Sequence, residues 1–150
     1  PMAFATHMPE ALDQARAAAL RGEVPVGAVL VGADGRVLAR AGNRTRALSD
    51  PTAHAEILAI REACAALGSE RLPGARLWVT LEPCAMCAGA AMLARVERIV
   101  LGAWDDKLGA CGSVWDVVRD RRATHRVEVV GGVLEKECSA VLREFFAERR

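Results

Sequence analysis

Thr80-Leu81-Glu82-Pro83-Cys84-Ala85-Met86-Cys87, set beside Asp50-Pro51-Thr52-Ala53-His54-Ala55-Glu56, decides the fold, because the two stretches read as one metal site built from two helix starts. His54, Cys84 and Cys87 offer three donors of the borderline-soft kind that zinc accepts, and no fourth protein ligand stands out. Three protein ligands with an open position characterise catalytic rather than structural zinc. One imidazole and two thiolates cancel the charge of Zn²⁺, so the metal acidifies water less than an all-histidine site, and a nearby base must collect the proton. Glu56, two residues after a ligand on the rim of one helix's first turn, is placed for that task and for returning the proton later as a general acid. The expected chemistry is attack of metal-activated water on an electrophilic carbon.

Cys84 and Cys87 lie three apart and share a face if the segment is helical. Pro83 suits a helix start, where exposed amides and the helix dipole lower the cost of holding both sulfurs as thiolates. Taken alone, Cys-Ala-Met-Cys also fits a redox pair or half of a structural zinc module. The redox reading leaves Glu82-Pro83 and the upstream His-x-Glu unexplained, and a zinc ribbon calls for a second Cys pair that the chain lacks.

Outward from this pair, helices and strands alternate as they do around one sheet in a layered α/β domain. Residues 9–21 carry Ala, Leu and Arg at helical spacing after Pro9, ending at Gly22. Residues 24–31 and 37–41 are β-rich runs joined by the turn Ala33-Asp34-Gly35, with Pro25 near the first run's start. A helix is expected over 54–67 with Gly68 as its stop, a short apolar strand over 76–81, and an Ala-rich helix over 84–95. Residues 96–101 read as a strand, 102–113 as a loop, 114–118 as a short helix, 126–130 as a strand and 134–149 as an amphipathic final helix. The glycines of the loop make no phosphate cradle, since the Gly-Lys-Ser/Thr ending is missing.

With 150 residues, 52% of them apolar, the chain is expected to form one domain, 1–150, with a sizeable core. Pro1 before Met2 is read as a remnant of expression. No signal peptide or membrane-spanning run is visible, and a cytoplasmic protein is expected. A formal net charge of +1 argues against a broad phosphate-binding surface but leaves room for local contacts to a short RNA element. Of five cysteines, Cys64, Cys111 and Cys138 are assigned to packing, and a disulfide framework is not expected in a reducing compartment.

Other polar residues have plain readings. Gly42-Asn43 after a strand is a common turn pair. Trp104-Asp105-Asp106-Lys107 reads as a solvated loop, and Arg149 and Arg150 complement the dipole at a helix end. Phe145 and Phe146 are adjacent, so one faces the core and the other is free to reach a substrate channel. His125 is assigned a loop contact, and His7 a disordered terminal segment.

His54-Ala55-Glu56 followed by Pro83-Cys84-x-x-Cys87 resembles the signature of the zinc-dependent nucleobase deaminases. Pro25-Val26-Gly27-Ala28-Val29, Asn43, Met86, Ala88-Gly89-Ala90, Gly109-x-x-Gly112-Ser113 and Phe145-Phe146 extend the likeness to the bacterial tRNA-specific adenosine deaminases over nearly the whole chain. The resemblance implies a cytidine-deaminase-like three-layer α/β/α domain with a central mixed sheet of about five strands. It implies one Zn²⁺ per chain on His54, Cys84 and Cys87, with Glu56 as proton shuttle in hydrolytic deamination of adenosine to inosine at the first anticodon position of tRNA. It further implies substrate contacts from Asn43, Asp105, Lys107, Phe146 and Arg149: Asn43 to the flipped purine, Asp105 to a ribose hydroxyl, Lys107 to a phosphate. A homodimer and a tRNA anticodon stem-loop are the implied partners. The competing expectation is a free cytosine or guanine deaminase, which has the same metal kit. A non-catalytic zinc-stabilised RNA-binding module is the third. Trp104, Leu108 and Thr124 depart from the family pattern, all in or near the surface that the resemblance expects to face RNA, whereas the catalytic positions match.

Overall fold

The computed structural model describes residues 6–149; the readings of Pro1 and Arg150 lie outside the described residues. Its five strands, β1 (Gly27–Val31), β2 (Val37–Gly42), β3 (Arg76–Leu81), β4 (Arg98–Ala103) and β5 (Glu128–Val130), form one mixed sheet in the order β2-β1-β3-β4-β5. β1 pairs antiparallel with β2 and β3, whereas β3–β4 and β4–β5 are parallel. Four helices cover it: α1 (Met8–Leu20), α2 (Ala55–Leu67), α3 (Ala85–Leu93) and α4 (Glu135–Ala147).

The central strands are apolar on both sides, as strands covered on both faces must be. Leu77 and Val79 of β3 pack with Ile99 and Leu101 of β4 against Ala59 and Ala63 of α2 and Ala88 and Ala91 of α3. On the opposite face Val29, Trp78 and Val100 meet Met8, Leu12 and Ala15 of α1 and Cys138 and Val141 of α4. Helix α1 rides close on the sheet because Gly27 and Gly42, cross-strand partners, present no side chain to it. A Cβ at Gly27 would overlap the Ala11 carbonyl, and one at Gly42 would lie 2.7 Å from that of Gln14.

Several boundaries differ from expectation, each for a backbone reason. β1 begins at Gly27 and not at 24, since the Val26 amide turns back to Val24 O at 2.9 Å and Pro25 has no amide to pair. α3 stops at Leu93 because Arg95 adopts φ +64°; Val96 then spends its amide on Ala91 O, so β4 runs later than the expected 96–101. Residues 114–118 are not helical. The Val114 and Trp115 amides both bond Gly109 O, Val117 bonds Ala110 O, and Cys111 bridges Asp116, which folds the segment back on the preceding loop. β5 is confined to three residues. His7, expected in a disordered end, is half-buried, with Nδ1 2.9 Å from Glu10 Oε1 and its ring edge-on to Trp78. His125 makes the expected loop contact, Nε2 to Val96 O at 2.9 Å. All five cysteines are free thiols. No helix among the described residues is long and apolar enough to cross a membrane.

Candidate metal and catalytic site

The segment preceding α2 is a self-bonded turn. The Asp50 carboxylate accepts from both the Thr52 amide (2.8 Å) and the Thr52 hydroxyl (2.7 Å), and the Ala53 amide reaches Asp50 O at 3.1 Å. This delivers His54 to the N-cap of α2 in extended conformation, with no capping bond from its own side chain. Asn43 caps instead: its Oδ1 accepts the Ala55 amide at 2.8 Å. The helix start is thus satisfied from outside, which leaves the imidazole free to face the cysteines. Cys84 occupies the corresponding N-cap of α3, and Cys87 lies within that helix's first turn.

His54 Nδ1 is 3.7 Å from Cys84 Sγ and 3.5 Å from Cys87 Sγ. All three donor atoms lie within 4.8 Å of one another. A tetrahedral zinc ion at its usual bond lengths separates nitrogen from sulfur by about 3.6 Å, so donor set and spacing both fit. Among themselves the three groups share protons. Hydrogen bonds from Cys87 and His54 pull the Cys84 thiol down to about 3, while its bond to Cys84 and burial drive the Cys87 thiol upward. A dication is what allows both sulfurs to be thiolates at once.

Glu56, in the first turn of α2, is 3% exposed, and its Oε1 has no hydrogen-bond partner. Burial raises its carboxyl to about 7, the range in which one group can both accept and donate a proton near neutrality. His54, Glu56, Cys84 and Asn43 line a cavity of about 510 Å³, within the size range of small-molecule sites. Its outer wall carries Trp104, Asp105, Lys107 and Leu108, with Phe146 from α4.

Of the residues expected at the site, Asn43, His54, Glu56, Cys84, Asp105, Lys107 and Phe146 line this cavity, with Cys87 buried beside it. Phe145 faces the core and Phe146 is half-exposed, which resolves which of the pair reaches the channel. Arg149 is not brought there: its guanidinium lies 3.5 Å over the Phe145 ring and donates to Phe145 O at 3.1 Å. The Asn43 amide is narrower in scope than a bidentate reading implies, because Oδ1 is committed to Ala55. Asp105 similarly spends Oδ1 on the Lys107 and Leu108 amides. Trp104 is seated where Gly131 leaves room, since a Cβ there would overlap the indole.

Two buried carboxylates escaped sequence reasoning. Glu23 is 1% exposed and receives the Ala47 (2.8 Å) and Arg46 (3.1 Å) amides, fixing the loop that brings Thr45 to the cavity. Glu82, 2% exposed, receives bonds from Asp105, Cys111 and Ser113. A signal for Glu82 existed in the charged residue closing an apolar strand directly before Pro83-Cys84; Glu23 stands just after a helix stop and offered none.

Residues 4–103 match the family model described as the cytidine and deoxycytidylate deaminase zinc-binding region. A tRNA-specific adenosine deaminase of Agrobacterium fabrum is 55% identical over 99% of this chain and 98% of its own length. A solved structure from work on A-to-I editing by tRNA:A34 deaminases at the wobble position of transfer RNA superposes with TM-score 0.87 at 55% identity, covering 91% of this chain and 99% of that one. A guanine deaminase from Nitrosomonas europaea shares the fold at TM-score 0.79 but only 29% identity, over 94% of this chain and 83% of its own.

Proposed function

Since the chain belongs to the zinc-binding cytidine and deoxycytidylate deaminase family, and within it to the tRNA-specific adenosine deaminases, we propose that it converts adenosine to inosine at the first anticodon position of tRNA. The observation that carries the chemistry is the three-donor cluster of His54, Cys84 and Cys87 opening on the same cavity as the buried, unpartnered Glu56 oxygen. These donors would hold one zinc ion per chain, which when bound would supply the Lewis acid that makes water nucleophilic near neutral pH.

The target base must leave its stack to enter the cavity. Glu56 takes a proton from the attacking water and delivers it to the ring nitrogen beside C6. Water's oxygen forms the new bond at C6, and the carbon–nitrogen bond to the exocyclic amine breaks. The second proton of that water passes through Glu56 to the amine, which departs as ammonia, and the base retains oxygen as hypoxanthine. Asn43 presents its amide Nδ2 to the purine while Oδ1 holds the helix. Backbone carbonyls near Leu81 and Glu82, both lining the cavity, orient the leaving amine. Asp105 addresses a ribose hydroxyl with its second oxygen, Lys107 a phosphate, and Phe146 a base face.

The chain acts as one folded unit in the cytoplasm and as a homodimer. Support for the dimer comes from α3, whose outer face of Met86, Gly89, Ala90 and Leu93 bears no charge; Leu93 is 71% exposed. The deciding experiment incubates the zinc-loaded protein with anticodon stem-loops carrying adenosine at the first position and, separately, with free adenine, guanine and cytosine. Inosine in the stem-loop supports the proposal. Xanthine or uracil from free bases, with an unaltered stem-loop, transfers the protein to the nucleobase deaminases.

A further inference from the structure

We propose that Glu82 is a positioning residue for substrate recognition, its carboxylate fixing the loop of residues 104–113 in register with the β3–α3 junction that carries Cys84. The inference rests on the reading of that cavity as the substrate site.

A carboxylate at 2% exposure is tolerated only when its lone pairs are fully used. Oε1 accepts the Asp105 amide at 2.9 Å and the Ser113 hydroxyl at 2.5 Å; Oε2 accepts the Cys111 amide at 2.9 Å and the Ser113 amide at 3.1 Å. All four donors belong to the loop, and they come from both its ends. One side chain therefore closes the loop at Asp105 and at Ser113, eight residues apart, while the Ser113 hydroxyl also lies 2.6 Å from Asp105 O. Gly109 follows from the same anchor, because a Cβ there would overlap both the Glu82 carboxylate and Ser113 Oγ. The spacing Gly109-x-x-Gly112-Ser113 is in this sense the complement of Glu82.

The loop's middle has its own tie to the junction, through the Ala110 amide to Pro83 O at 2.8 Å and the bridge between Cys84 and Gly109. What depends on Glu82 is the course of the segment from Trp104 to Leu108, which forms the cavity's outer wall. Loss of the carboxylate should loosen that wall and leave the metal ligands in place.

The test uses the zinc-loaded Glu82→Gln protein, in which an amide NH₂ faces donors that an oxygen had accepted. Hydrogen exchange of the free protein should show the Asp105, Cys111 and Ser113 amides exchanging about tenfold faster than in the wild type, the loss expected for one charge-assisted bond, with the Ala88 and Leu58 amides of α3 and α2 unchanged. Zinc content should be unaltered. The KM for an anticodon stem-loop should rise about tenfold, with kcat held within about threefold. Unchanged exchange at the three amides overturns the proposal, as does loss of zinc with kcat and KM failing together, which would make Glu82 a support of the metal junction. If Glu82→Gln does not fold, Ser113→Ala removes the hydroxyl's contacts with both Glu82 Oε1 and Asp105 O. The Cys111 amide, held by Glu82 Oε2 and not by that hydroxyl, should then exchange faster by a smaller factor as the carboxylate loosens, and no acceleration at Cys111 overturns the proposal equally. Absence of inosine with the wild type defeats the functional reading instead, and the exchange pattern still decides the anchor.

Discussion

Replacing Glu56 by Gln should move activity and stability in opposite directions. The carboxyl is 3% exposed, one oxygen lacks a partner, and burial lifts it from 4.5 to about 7. Ionising it in the folded, chelator-stripped protein is therefore harder than in the unfolded chain, by about 3 kcal/mol. The sign follows: the penalty is absent below pH 4.5, grows as pH rises toward 7, and is complete above that. Gln carries no such penalty, but its amide still needs partners and loses about 1–2 kcal/mol for want of them. The stripped variant should thus gain about 1–2 kcal/mol at pH 8, a melting temperature higher by about 3–8 °C, with the advantage disappearing by pH 4.5. Zinc-loaded, the same variant should retain its metal and lose deamination by about a thousandfold, the scale of general acid–base catalysis. Calorimetry of the stripped proteins at both pH values, and inosine release from a stem-loop, measure the two effects. Wild-type deamination by the variant, or a stripped variant melting at or below the wild type at pH 8, refutes the reasoning.

Other perturbations test other parts of the site. Cys87→Ser should abolish stoichiometric zinc, measured by atomic absorption, and lower the melting temperature, because binding free energy at such a site is also folding free energy. Glu23→Gln bears on acid stability. Burial alone would raise that carboxyl, but the Ala47 and Arg46 amides, with Arg21 nearby, outweigh it and hold it below 4.5. Its contribution is full above pH 4.5 and fades as pH falls through the lowered value, so the stability gap between wild type and variant should narrow in acid; a gap constant from pH 7 to 3 would contradict this. Phe146→Ala should raise the stem-loop KM, whereas Arg149→Ala should leave KM alone and cost about 0.5–1 kcal/mol of stability through its lost stacking on Phe145. Leu93→Glu should yield monomers in sedimentation; unchanged dimers would remove α3 from the subunit interface.

The metal cluster was legible because its chemistry is written in adjacent residues: a proline before a cysteine marks a helix start, and three-residue spacing puts the second sulfur on the same turn. The layered α/β order was legible from alternating apolar periods. What escaped depended on contacts between distant segments. Nothing local says that Glu82 will receive amides twenty-three to thirty-one positions away, or that Asn43 will cap a helix beginning twelve residues later. Residues 114–118 carry a plausible helical pattern, and only the tertiary competition for the Gly109 and Ala110 carbonyls defeats it. Arg149, which the resemblance assigns to RNA, rests its guanidinium on Phe145, the ring one turn back, a side-chain contact that the linear sequence does not announce.

The outermost strands of the sheet limit how copies of this chain can meet. β5 offers three residues and begins with Glu128, ion-paired to Arg98, while β2 carries exposed Arg40 at its middle, held by Glu10. Short or charged rims resist pairing with another strand, so neither border can extend the ladder into a neighbouring molecule. Association through the uncharged face of α3 proposed above would leave both rims untouched, so the part of an α/β protein most prone to aggregate is here among its least adhesive.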